Sequence, residues 1–231
     1  MPAVPIAVQG SDMSLAALTT SIRVVALWCI VACGGTRALA ATLVVRAAHA
    51  DGRSLAGAVI TVEAQAPMLA PPAPVQAVMD QVNLAFTPDV LVVPVRSTVQ
   101  FPNSDAVSHQ VYSFSSARQF QLPLYRGKPY PPVSFDRPGV VTLGCNIHDN
   151  MLAYIVVTGA QFLGRSDANG AWSAGVPNGR YLVRLWHPAL NEPRAVEGVV
   201  EVGGDRASIE LRATRGLRPA PHRARPHSWD Y

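Results

Sequence analysis

The chain is poor in charge and almost without lysine. Of 231 residues, 15% are Asp, Glu, Lys or Arg, and Lys128 is the only lysine. The formal net charge is +4, yet residues 77–158 hold five basic and five acidic side chains, so the excess sits in the C-terminal tail. A nucleic-acid binder gathers its basic residues on one face or stripe, so that class is set aside. Long amphipathic helical patterns are missing, which argues against a helical bundle. No apolar run reaches the ~20 residues of a membrane-spanning helix. Cysteine is scarce: Cys29 and Cys33 lie near the N-terminus, and only Cys145 lies in the rest of the chain.

What is abundant is apolar, with 49% hydrophobic residues, 20 prolines and 17 glycines. Valine-rich segments cut by Pro and Gly turns predict an all-β protein. The first forty residues stand apart. Arg23 precedes the apolar run VVALWCIVAC, and ALA at 38–40 closes it, which is the three-part pattern of a secretory signal cleaved after Ala40. A second reading stays open, because IVAC at 30–33 is similar to a bacterial lipobox and would make Cys33 a lipidated N-terminus. Either way the product is exported, with periplasmic localisation expected and membrane attachment only through Cys33. The exported chain then keeps one free cysteine, Cys145, which cannot form an internal disulfide in an oxidising compartment.

From 41 onward the sequence divides as follows. Residues 41–66 read as two strands joined by a turn at Asp51-Gly52, and the Pro-rich 67–77 reads as a linker. Residues 78–158 form a first domain of short strands. Within it VNLAF (82–86) and SHQVYSFS (108–115) read as strands, FPNSD (101–105) as a turn, and the proline-bearing RQFQLPLYRGKPYPP (118–132) as irregular. Pro94 marks an edge or a bulge. Residues 159–213 hold further strands, with turns at Asn169-Gly170 and Pro177-Asn178-Gly179. The basic, Pro-rich 214–231 reads as a disordered tail.

One short loop concentrates chemistry. In GCNIHDNM, 144–151, Cys145, His148 and Met151 form C-x2-H-x2-M, and His109 lies upstream at the start of a predicted strand. Two imidazoles, a thiolate and a thioether suit copper that alternates between Cu(I) and Cu(II), with the thiolate and imidazoles in a trigonal plane and methionine as weak axial ligand. Thioether is a poor zinc ligand, which argues against structural zinc. The chain has no His-x-His pair, so a multicopper enzyme is not expected. Taken singly, each residue has a plainer reading: a buried thiol, a surface histidine, a methionine filling the core.

Two stretches carry a family resemblance. FPNSDAVSHQVYSF and PGVVTLGCNIHDNMLAYIVV resemble the first-histidine strand and the C-terminal ligand loop of a cupredoxin, the blue copper fold of plastocyanins and amicyanins. The loop spacing is similar to the short amicyanin-like form. The resemblance implies a Greek-key β-sandwich over 78–158 and one mononuclear type 1 copper on His109, Cys145, His148 and Met151. It also implies single-electron transfer through the exposed edge of His148, with no catalysis. The expected partners are a c-type cytochrome or other redox protein and a dehydrogenase. Asn commonly follows the first histidine in this family; here Gln110 does, which puts the neighbouring hydrogen bonds in doubt. ADGRSLAGAVITVEA and SDANGAWSAGVPNGRYLVRLWHP resemble strands of a transthyretin-like or carboxypeptidase-regulatory-like sandwich, so the copper domain is expected to be inserted into, or followed by, a second small β-sandwich. The whole resembles exported proteins labelled methylamine-utilisation-like, a label from which no substrate follows. The competing function is copper delivery or sensing without electron transfer, on the same four residues.

Outside the loop, plainer readings are preferred. Trp172, Tyr181 and Trp186 are expected in the core of the second sandwich, and His187 is expected to be structural. His49, His222, His227 and the tail arginines are expected to be solvated.

Overall fold

The structure, a computed structural model, describes residues 40–66, 69–127, 129–148, 150–190 and 195–215. The expected signal segment up to residue 39, the tail beyond 215, Lys128 and Asp149 lie outside the described residues. Every regular element described is a strand, so the fold is all-β.

The chain begins with β1 (Ala41–Ala48) and β2 (Val59–Ala64), and later returns to them with β13 (Phe162–Arg165), β14 (Ala171–Val176), β15 (Gly179–Trp186), β16 (Val196–Val202) and β17 (Arg206–Arg212). These make a three-stranded sheet, β14-β1-β17, and a four-stranded sheet, β13-β2-β15-β16. Alternate residues of both sheets meet in one core that includes Leu43, Val45, Ile60, Val62, Tyr181, Val183 and Leu211. Side chains on a strand point alternately to its two faces, so one valine-rich run can build one such face.

Between β2 and β13 lies the second sandwich. It contains β3 (Gln76–Val78), β4 (Asp80–Val82), β5 (Ala85–Thr87), β6 (Val90–Pro94), β7 (Ser97–Gln100), β8 (His109–Ser115), β9 (Arg118–Tyr125), β10 (Val133–Phe135), β11 (Gly139–Gly144) and β12 (Leu152–Thr158). A five-stranded sheet, β6-β12-β11-β8-β9, and a three-stranded sheet, β10-β7-β3, share a core containing Val99, Phe101, Val111, Phe135, Val141, Leu143 and Ile155. The copper-domain candidate is thus inserted between strands of the other sandwich.

Several sequence expectations are corrected. β1 and β2 do not form a hairpin: β1 is already paired on both edges, antiparallel to β14 and parallel to β17. The connection between them crosses to the other sheet. The buried Leu55 and the Ser166 hydroxyl anchor it, the hydroxyl accepting from Ala58 N–H (2.9 Å) and donating to Leu55 O (2.7 Å). VNLAF is not one strand, because the β4–β5 hairpin turns at Asn83 and Leu84, both with positive φ (53° and 58°). The stretch from Arg118 is not irregular as far as Tyr125. β9 is an edge strand, and Pro123 falls where the register to β8 slips by one residue, so its missing N–H leaves no ladder bond unmade. Pro94 likewise ends the opposite edge strand, β6.

Tyr181 is buried in the flanking core and Trp172 packs against it, but Trp186 does not belong there. It follows Leu185 on β15, so alternation turns it to the other face. There it meets Tyr154 edge-on, ring centroids 5.3 Å apart, beside Val59, Val90 and Val156. This small cluster joins the two sandwiches. Arg165 reinforces it, donating from Nε to Gly57 O (3.1 Å) and from Nη1 to Val90 O (3.2 Å).

His187 sits beside this junction. Its Nδ1 accepts Ala189 N–H at 3.1 Å, so the folded state uses the neutral ring. Burial, followed by the positive charges of Arg165 and His49 and against the pull of Asp89, holds its pKa below the ordinary 6.5. The unfolded chain therefore takes up a proton more readily than the folded one. Stability contributed here is present above 6.5 and is lost as pH falls from there toward the lowered folded value. Urea midpoints between about pH 8 and about pH 5 are expected to drop more steeply for the wild type than for His187→Asn; parallel curves would contradict this.

Candidate metal centre

Three strand ends meet at one end of the inserted sandwich. His109 is the first residue of β8 and is fully buried, 0% exposed. Cys145 follows β11 directly and is 4% exposed; Met151 directly precedes β12 and is 2% exposed. β11 and β12 pair antiparallel with Gly144 opposite Leu152, so residues 145–151 must form a tight closed loop. Met151 N–H donates to His148 O at 3.0 Å within it, and His148 is partly exposed.

The loop turns Cys145 and His148 toward His109. The two histidine Nδ1 atoms are 3.0 Å apart, and Cys145 Sγ lies 4.0 Å from that of His109 and 3.8 Å from that of His148. A triangle with these sides has its centre about 2.1 Å from every corner. That falls in the roughly 2.0–2.3 Å range that an ion such as zinc keeps from imidazole nitrogen and thiolate sulfur. Among the described residues, His109, Cys145 and His148 are the group of this kind that could hold a metal. Met151 is buried in the same apolar core as Cys145. Two imidazoles and a thiolate in trigonal array, with a buried thioether close in sequence, fit copper by softness and geometry better than zinc.

Protonation of the site is governed by a residue that reading FPNSD as a turn overlooked. Asp105 Oδ2 lies 2.7 Å from His109 Nε2. A proton held on Nε2 by that carboxylate leaves the Nδ1 lone pair free for an ion on the side of Cys145 and His148. Asp105 also accepts the N–H groups of Asn83 and Leu84, the two positive-φ residues of the β4–β5 turn. Burial opposes its ionisation. Hydrogen bonds from Leu84 N–H, the His109 ring and Asn83 N–H outweigh that burial, and its pKa lies below the ordinary carboxylate value. Asn103 braces the same segment, donating from Nδ2 to Val107 O (3.0 Å) and Tyr125 O (2.9 Å) and accepting Asp105 N–H. Gln110 alternates to the face opposite His109. The available signal was an Asp four residues before the His. His148 is held below its ordinary pKa, first by burial and then by His109, against the pull of Asp105.

Gly144 is the second residue whose role lay outside the motif. It faces Tyr112 across the β11–β8 pair, and a Cβ there would meet Tyr112 Cζ and Oη at 2.8 Å. The ring therefore lies against the backbone next to Cys145.

No known family model matches the sequence, and no curated protein matches it. Among solved structures, a copper-containing nitrite reductase from Thermus scotoductus SA-01 is similar at 29% identity, over 42% of this chain and 25% of that one, with a TM-score of 0.33. The chain thus spans about a quarter of that enzyme. A purple cupredoxin from Nitrosopumilus maritimus is 22% identical over 36% of this chain and 99% of its own, with a TM-score of 0.32. An amicyanin variant in its Cu(I) form is 22% identical over 42% and 99%, with a TM-score of 0.33. Each likeness is confined to less than half of this chain.

Two outcomes follow from the geometry. Asp105→Asn is expected to weaken metal affinity about 10–100-fold, read by competition with a chelator of known affinity; unchanged affinity would remove Asp105 from the site. Gly144→Ala is expected to lower unfolding stability by about 1 kcal/mol, because the partly exposed Tyr112 ring can swing aside, and Tyr112→Ala in the same chain should relieve it. A single variant as stable as the wild type would show that the ring does not rest on Gly144.

Proposed function

We propose that the chain is an exported, periplasmic single-electron carrier with one mononuclear type 1 copper. His109, Cys145 and His148 would hold the ion, and Met151 would be a weaker fourth ligand. The observation that carries this reading is the triangle of donor atoms, whose centre lies at metal-ligand distance from all three. When bound, copper supplies a one-electron couple, Cu(I)/Cu(II), whose potential such a donor set tunes.

The protein's own contribution is rigidity. His109 and Cys145 are anchored at ends of paired strands and nearly excluded from water, so they hold much the same positions in both oxidation states. Little rearrangement is then needed when an electron moves. Asp105 keeps the Nε2 proton and the ring orientation of His109. His148, partly exposed, gives the electron an edge at the surface, and the exposed Ile147 beside it offers apolar contact to a partner. A c-type cytochrome or a dehydrogenase fits as donor or acceptor. No bond-making chemistry is assigned to the chain.

The test is the visible and electron paramagnetic resonance spectrum of residues 41–231 after addition of Cu(II). An intense thiolate-to-copper band with narrow copper hyperfine splitting is expected, absent from Cys145→Ala, together with a reversible one-electron wave. An ordinary tetragonal Cu(II) spectrum indifferent to that substitution would overturn the type 1 assignment. A blue spectrum with no reversible wave would favour delivery or sensing of copper over electron transfer.

A further inference from the structure

At the other end of the inserted sandwich a pocket of about 600 Å³ is lined by Ser116, Ala117, Arg118, Gln119, Asp136 and Arg137. Two backbone segments come together to make it. Gly139 has φ +144°, and a Cβ there would meet the Ala117 side chain at 3.0 Å, so the loop before β11 lies close against the β8–β9 turn. That approach puts Arg118 and Arg137 on one cavity.

Arg118 Nε is buried and has no hydrogen-bond partner. A buried guanidinium N–H without an acceptor is rare in a folded protein; it leaves Arg118 without an internal partner on that nitrogen, with the rest of the side chain lining the pocket. Among the described residues neither Arg118 nor Arg137 forms an ion pair, although seven such pairs occur elsewhere, and Asp136 in the same wall is not within pairing distance of either. Two cations against one carboxylate leave the pocket with a net positive charge.

We propose that this pocket binds a small oxyanion, a carboxylate or a phosphate, between Arg118 and Arg137. The planar guanidinium matches such anions with paired N–H donors, and Ser116 and Gln119 are polar residues in the same wall. Asp136 opposes the ligand and tempers its affinity. β8 runs from His109 to this turn, so the pocket lies roughly 20 Å from the candidate metal centre. It is therefore a separate site, and its reading stands or falls independently of the copper proposal.

The experiment is calorimetric titration of residues 41–231 with inorganic phosphate and, separately, with acetate, in a weakly coordinating buffer. Saturable one-to-one binding of at least one anion is expected. It should be weakened about tenfold by Arg118→Gln and by Arg137→Gln and strengthened by Asp136→Asn, with circular dichroism unchanged in all three. Saturation by phosphate alone assigns a free or ester phosphate as the ligand; saturation by acetate alone assigns a carboxylate. Absence of saturable binding by either anion, or equal affinity in wild type and both well-folded arginine variants, overturns the site. Cys145→Ala should bind the anion as the wild type does. Loss of binding in that variant would place the anion at the metal centre and likewise overturn the proposal.

Discussion

The pairing of β11 with β12 is the constraint on which the candidate centre depends. With Gly144 held opposite Leu152, the intervening loop has no freedom to spread, and Cys145 and His148 are driven to the same side. The neighbouring pairing of β11 with β8 brings His109 to that side as well. Two sheet registers therefore bring together three donor atoms from two distant parts of the chain. A slip of one residue in either would turn every side chain of that strand to the opposite face and disperse them.

The same arrangement creates a difficulty that the surrounding residues resolve. A buried imidazole needs partners for both of its nitrogens. Asp105 satisfies Nε2 of His109, and the facing donors occupy the space at Nδ1. Asp105 is in turn kept ionised by the backbone of the β4–β5 turn, which adopts an unusual conformation at Leu84 to reach it. The turn, the carboxylate and the histidine thus hold one another in place. Tyr112 shields the backbone beside Cys145 on the outer face of the sheet. Farther along that face Val156 and Tyr154 meet Trp186, so the flanking sandwich covers part of the sheet that carries the centre.

Much of the architecture was legible. Strand alternation, valine content and turn residues indicated an all-β chain, and the return of strand patterns after 159 indicated a second layered unit. The failures have a common cause. The β1–β2 hairpin was inferred because adjacent strands joined by Asp-Gly usually pair, but β14 and β17, far along the chain, already occupied both edges of β1. The sequence of β9 looks irregular because proline is costly in the middle of a sheet; its edge position and the register slip to β8 make Pro123 acceptable. Trp186 packs at the junction and not in the flanking core, because the sequence of a strand does not show what covers each of its two faces.

By itself the sequence determined what is local: the strand periods, the turns, and the spacing of Cys145, His148 and Met151, which lets one short loop offer three soft donors. Tertiary structure alone decided what depends on contacts across long separations. Cys145 meets His109 across 36 residues, and the Tyr112 ring meets Gly144 from another strand. Two loops converge to set Arg118 and Arg137 on one pocket. Periodicity says which face a side chain takes, but only the register and packing of distant strands say what that face will meet.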